Sequence, residues 1–265
     1  MTRHDDARSA FVPAHLFSCA GQVAIVTGGS SGIGLAAVEA LAAAGARVLL
    51  VGLVESDPDA AAATLRERGL TVAGLAADVT ETGASEAIVG AAVDRWGRLD
   101  TVLANAGTAL DEPGTTSIDA LDRMFALHVR SVTQLANVAL PVIAETGGGA
   151  FLVVSSLAGL RGNRVLSGYG ITKAANAQLV RNLAVQWGAS GIRANAISPG
   201  VIETDFARPI TDDPEIGTIR RSRTPLGRFG RPEEVAGAVV WLASAAGAFV
   251  TGQNIVIDGG TLIAD

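Results

Sequence analysis

The chain has 265 residues, 49% of them hydrophobic and 17% charged, with a formal net charge of −6. That length supports one full core, and the composition is that of a globular chain and not a disordered one. No block of like charge runs beyond a few residues, which speaks against nucleic acid as the main partner, since that would need a basic face.

In chain order, residues 1–16 read as a tail that meets the fold near Leu16 and Phe17. Two of the three histidines, His4 and His15, fall in it, so a histidine zinc site is not expected, and no metal is. The tail has no apolar core of signal-peptide length, and no run in the chain reaches membrane-spanning length. Cys19 is the one cysteine, which excludes an internal disulfide and a thiolate metal cluster. A reduced, cytoplasmic, soluble protein is expected. From residue 17 onward, short β-rich runs alternate with alanine-rich helical ones. Strands are expected at 22–27, 47–52, 71–78, 99–107, 150–156, 192–200 and 253–260. Helices are expected at 33–45, 58–69, 85–97, 117–140, 167–188 and 231–244. The strands are near-continuous apolar runs, as in a parallel sheet covered on both faces. The alternation predicts one doubly wound α/β domain over 17–265, with a central parallel sheet of about seven strands. The stretch 203–226, "ETDFARPITDDPEIGTIRRSRTPL", is long, polar and punctuated by proline, and reads as a lid or substrate loop.

"TGGSSGIG" (27–34) joins the first strand to the first helix with the spacing Gly28-x-x-x-Gly32-x-Gly34. Backbone N–H groups and a helix N-terminus there can approach a pyrophosphate; the alternative is a plain strand-to-helix turn with no ligand. Three more strand ends carry small or polar residues on the same edge: "DV" at 78–79, "NAG" at 105–107 and "SPG" at 198–200. Asp78 is placed to bond an adenine amine, while Asn105 either faces a ligand or satisfies backbone groups between strands. "YGITK" (169–173) holds the one tyrosine and the one lysine, every other basic residue besides histidine being arginine. Four residues apart on a helix, they share a face. A phenol with a pKa of about 10 exchanges protons poorly at neutrality, and a nearby ammonium favours the phenolate. Ser156 ends the strand before this helix and is placed to bind a substrate oxygen. Ser155 competes with it, because adjacent strand residues face opposite ways and only one can serve.

These residues together resemble the short-chain dehydrogenases/reductases in their single-domain form, over about 17–262. The resemblance rests on "TGGSSGIG", "NAG", Ser156 with "YGITK", "SPG" followed by Thr204, and the ending "PLGRFGRPEEVAGAVVWLAS…VTGQNIVIDGG". It implies hydride transfer between a nicotinamide and the carbinol or carbonyl carbon of a small secondary alcohol or ketone. Tyr169 would be the general acid/base, Ser156 would hold the substrate oxygen, and Lys173 would bind the nicotinamide ribose and tune Tyr169. The implied cofactor surface runs through Gly28, Ser30, Ser31, Gly32, Ile33 and Gly34, then Gly52 and Leu53, Asp78 and Val79. It continues through Asn105, Ala106 and Gly107 and ends at Pro199, Gly200, Val201 and Thr204, the last against the carboxamide. Substrate neighbours would be Leu157, Arg161, Asn163, Leu166 and Phe206.

The sequence departs from the family's pattern at His128, where an asparagine is usual. The histidine either relays protons itself, fills the space, or marks a protein that binds cofactor without useful catalysis. Gly52 stands where NAD-preferring enzymes often carry Asp, and neither Ser31 nor Leu53 supplies the cation an NADP 2′-phosphate would want, so the lean is to NAD(H). Glu55 is close enough in sequence to substitute for the acid. "GLVESDP" and the 203–226 loop look somewhat like NAD-linked sugar-acid dehydrogenases, so a polyol, a sugar acid or a small cyclic ketone is expected. The resemblance also implies a homotetramer.

Overall fold

The computed structural model describes residues 12–110 and 115–264. His4 and the first eleven residues of the expected tail lie outside that range. A short helix α1 (Pro13–Leu16) leads in, and the Cys19 amide then bonds the Ala44 carbonyl at 2.8 Å. The alternation continues as β1 (Val23–Thr27), α2 (Gly32–Ala43), β2 (Arg47–Gly52), α3 (Pro58–Glu67), β3 (Val72–Ala76), α4 (Ala84–Trp96) and β4 (Thr101–Ala104). The second half holds α5 (Ile118–Phe125), α6 (Ser131–Glu145), β5 (Gly149–Val154), α7 (Ser167–Trp187) and β6 (Ile192–Pro199). It ends with α8 (Arg208–Thr211), α9 (Pro214–Ser222), α10 (Pro232–Ala243) and β7 (Asn254–Ile257).

The seven strands form one all-parallel sheet in the order β3-β2-β1-β4-β5-β6-β7. Every residue of β1 and β4 is buried, as continuous apolar strands between two helical layers should be. One layer of core gathers Ile25, Val102, Phe151, Leu135 and Val180; the other gathers Val26, Leu50, Leu41, Leu152 and Val239. The register at the foot of the sheet is held by charge. Asp100 accepts the Val23 amide at 2.8 Å and takes a two-pronged contact from Arg98 at 2.6 and 2.9 Å. The order reverses between β1 and β4, which opens a crevice at the carboxyl ends of those strands, where ligands settle in such sheets. This is a Rossmann-like fold.

Two segments differ from the expectations. The helix expected over 117–140 is not uniform: α5 passes into one π turn at Ala126–Arg130 before α6 begins, with the Ser131 amide bonding the Ala126 carbonyl. Two hydroxyls answer carbonyls at this turn, Ser131 to Leu127 at 2.5 Å and Thr133 to Val129 at 2.7 Å. The stretch 203–226 is largely helical. Two of its three prolines, Pro209 and Pro214, sit in the first turns of α8 and α9, where a missing N–H costs nothing, and Asp213 caps α9 by accepting from the Glu215 and Ile216 amides.

Candidate active site

The glycine loop lies between β1 and α2 at the crevice. Gly28 has φ +62°. A Cβ on Gly34 would collide with the Gly28 carbonyl oxygen, so the loop folds back on the helix only without a side chain there. Asn105 closes the other side, donating to the Thr27 and Gly28 carbonyls at 3.1 and 2.9 Å. Its carboxamide therefore ties β4 to the glycine turn, and of the two roles expected for it the structure displays the backbone-satisfying one. Thr27 completes that tie, its hydroxyl accepting the Asn105 and Ala106 amides. Gly32 faces the Thr204 methyl across the crevice, and Ser31 and Ile33 flank it at the start of α2.

At the end of β2, Ser30 and Ser56 join hydroxyls at 3.0 Å directly over Gly52, filling the space where a Cβ would stand. Leu53 is exposed beside them. Asp78 is exposed, and one of its oxygens takes the Thr80 amide and hydroxyl at 2.8 and 2.7 Å. Val79 lines a small cavity with Thr27, Ala106 and Ser131. On the far side, the Gly200 amide bonds Ile257, Val201 bonds Gly230, and Pro199 ends β6 opposite Ile257.

The reactive cluster forms where β5 meets α7. Ser155 turns inward and donates to the Lys173 carbonyl at 2.7 Å. Ser156 turns the other way, accepts the Ala158 amide at 3.1 Å and hydrogen-bonds the Tyr169 phenol. The two serines thus separate as strand alternation requires. Tyr169 is 7% exposed and Lys173 3%. The Lys173 ammonium donates to the Val154 carbonyl at 2.8 Å and lies 5.4 Å from the Tyr169 ring centroid. No carboxylate of a described residue pairs with it. Burial pushes Lys173 down to about 8. The sequence led us to expect a phenol eased downward by Lys173. Instead burial pushes Tyr169 up to about 12, and the opposing pull comes from the Ser156 hydrogen bond.

His128 sits inside the π turn with no exposed surface. Its Nε2 accepts the Thr108 amide at 3.1 Å, its Nδ1 lies 2.8 Å from the Thr172 hydroxyl, and its ring meets Tyr169 edge-on at 5.5 Å. Burial, then the Lys173 charge, push its pKa down to about 3. Of the three readings open for His128, the engagement of both nitrogens and the disfavoured protonated form support the space-filling one. Gly107 lies beside both His128 Nε2 and Lys173 Nζ.

Of the expected substrate neighbours, Phe206 packs on Tyr169 with centroids 6.0 Å apart, and Leu157 is buried just after Ser156. The other three engage their own surroundings. Arg161 is exposed and donates to the Thr261 carbonyl at 3.0 Å, and Asn163 accepts the Val165 and Leu166 amides, which fixes Leu166 at the entrance to α7. Sequence reading missed Thr172 and Asn176. Both are buried on the face of α7 that carries Tyr169 and Lys173, and the spacing 169, 172, 173, 176 was the available signal.

Comparison with known proteins places this arrangement. The family model described as enoyl-(acyl carrier protein) reductase matches residues 28–261. A cis-4-hydroxycyclohexanecarboxylate dehydrogenase of Sinomonas cyclohexanicum is 37% identical over 90% of this chain and 96% of its own. A gluconate 5-dehydrogenase from Burkholderia cenocepacia, solved with NADP and tartrate, superposes with a TM-score of 0.91 at 29% identity, over 95% of this chain and 99% of that one. A 7α-hydroxysteroid dehydrogenase solved with NADH gives 0.90 at 30% identity, over 94% and 98%. The chain belongs to the short-chain dehydrogenase/reductase family of oxidoreductases. Among the described residues, no helix is long and apolar enough to cross a membrane.

Proposed function

We propose that the protein interconverts a small secondary alcohol and its ketone using a nicotinamide dinucleotide, with Tyr169 as general acid/base. The observation that carries this reading is the meeting of Ser156, Tyr169 and Lys173 at the carboxyl end of β5, beside the glycine loop. The crevice fits such a cofactor: the Gly34 approach leaves a backbone cradle at the N-terminus of α2, open to phosphate. Gly28, Ser30, Ser31, Gly32 and Ile33 would hold the diphosphate, Asn105, Ala106 and Gly107 the floor, and Thr204 the carboxamide end. When bound, the nicotinamide supplies the hydride carrier. Ser156 orients the substrate oxygen, and Tyr169 gives or takes the proton on that oxygen. Lys173, with its ammonium held out of water, would supply a donor for the ribose hydroxyls.

NAD(H) is the preferred cofactor in this reading. The segment 52–57, "GLVESD", brings two acids and no cation to the end of β2, and a 2′-phosphate there would meet carboxylates instead of a partner. Polyols, sugar acids and cyclic ketones are the substrate classes favoured, and two of the similar proteins, the hydroxycyclohexanecarboxylate and gluconate dehydrogenases, support that range. Phe206 and Leu157 give the pocket an apolar wall, and the assembly is proposed as a homotetramer in the cytoplasm. The competing reading, a cofactor binder without useful catalysis, rests on His128. Deuteride carried from C4-labelled NADH to the carbinol carbon of the product tests the first reading directly; cofactor binding with no label transfer to any member of a ketone and keto-acid panel supports the second.

A further inference from the structure

The network around His128 assigns a role to a residue outside the expected site. Thr108 offers a backbone N–H, which can only donate, so Nε2 of His128 must be the acceptor. A neutral imidazole then carries its proton on Nδ1, 2.8 Å from the Thr172 oxygen. Thr172 accepts that proton's hydrogen bond because its own hydrogen is committed elsewhere, to the Tyr169 carbonyl at 2.8 Å. The result is one directed chain, from Thr108 through His128 and Thr172 to the backbone of Tyr169. His128 and Thr172 have no exposed surface, so water does not compete for these bonds. The titratable groups of described residues that face the imidazole, Lys173 and Tyr169, both stand on α7.

We propose that Thr172 is a positioning residue: it locks His128 as the Nδ1–H tautomer, and so makes Nε2 the hook that holds the 105–108 strand end against the tyrosine-bearing helix. The strand end carries Asn105, Ala106 and Gly107, and the helix carries Tyr169 and Lys173. The chain of bonds therefore sets the spacing between the expected cofactor floor and the acid/base group. It also takes His128 out of proton exchange, because both its nitrogens are committed to this mechanical task.

The chain's composition makes the test clean. Only three histidines are present, and the other two, His4 and His15, lie in the N-terminal stretch. Nitrogen-15 spectra of histidine-labelled protein should show one imidazole fixed as neutral Nδ1–H and unchanged from pH 5 to 9. Thr172→Val, close in shape but without the hydroxyl, should broaden or shift that signature and speed hydrogen exchange of the Thr108 amide at least tenfold. Thr172→Ser should restore both. With a turned-over substrate, kcat should fall about tenfold in Thr172→Val and return in Thr172→Ser, with NADH affinity changed less than threefold. A wild-type His128 that titrates near neutrality, or that carries its proton on Nε2, overturns the proposal. So does a Thr172→Val protein with unchanged imidazole signals and Thr108 exchange. The wild-type spectrum needs neither a variant nor a known reaction, so it decides even if Thr172→Val does not fold or the dehydrogenase reading fails.

Discussion

Ser155 and Lys173 are joined by a 2.7 Å hydrogen bond from the serine hydroxyl to the lysine carbonyl, which commits Ser155 to the fold and leaves Ser156 facing Tyr169. The adjacent serines should separate in experiment. Ser155→Ala removes a buried bond and should cost about 1–2 kcal/mol in urea unfolding, with kcat within a few-fold of wild type. Ser156→Ala should cost less stability and lower kcat at least a hundredfold. Its pH profile should also shift upward, because Ser156 is the group that pulls the Tyr169 pKa down.

His128 makes stability depend on acid. Its folded pKa, about 3, lies below its ordinary 6.5, so the unfolded chain takes up the proton first. Stability is therefore lost as pH falls through 6.5 and goes on falling toward 3. At about 1.4 kcal/mol per unit, the loss between pH 7 and pH 5 reaches about 2 kcal/mol. Urea titrations at the two pH values should show this in the wild type, and His128→Asn should flatten most of it.

Gly34→Ala places a methyl against the Gly28 carbonyl. The loop must open or α2 must shift, and either change spoils the cradle. NADH affinity, read by fluorescence titration, should fall at least tenfold while the far-ultraviolet spectrum stays that of an α/β protein.

The proposed preference for NAD(H) rests on charge at the end of β2. NADPH should bind at least tenfold more weakly than NADH. Glu55→Arg, which replaces an acid in the turn after β2 with a phosphate-binding fork, should narrow that gap by strengthening NADPH binding. Parallel calorimetric titrations of both cofactors on both proteins check it.

Much of the fold was legible because buried parallel strands need unbroken apolar runs. "QVAIVT", "RVLLVG" and "AFLVVSS" announce β1, β2 and β5 without reference to anything distant. Helical spacing likewise placed Tyr169 and Lys173 on one face. The π turn was not legible, because its hydrogen bonds register by five and leave no mark in the apolar period. The helices in 203–226 were hidden because proline was read as a breaker, when at Pro209 and Pro214 it occupies a helix's first turn. The partners of His128 were out of reach for another reason: Thr108 and Thr172 are 20 and 44 residues away, and only the folded chain joins them. Lys173 misled in a subtler way, since its effect on Tyr169 depends on burial, which spacing does not report.

The central claim, that Tyr169 is the acid/base of a nicotinamide-linked alcohol–ketone interconversion, is tested most directly by turnover of the wild type and Tyr169→Phe. Both would be given NADH and a panel of small ketones, keto-sugars and keto-acids, with NADH binding measured alongside. The account predicts that the wild type turns over at least one member, and that Tyr169→Phe binds NADH as tightly but loses turnover at least a thousandfold. A Tyr169→Phe protein that keeps most of the wild-type rate would contradict it.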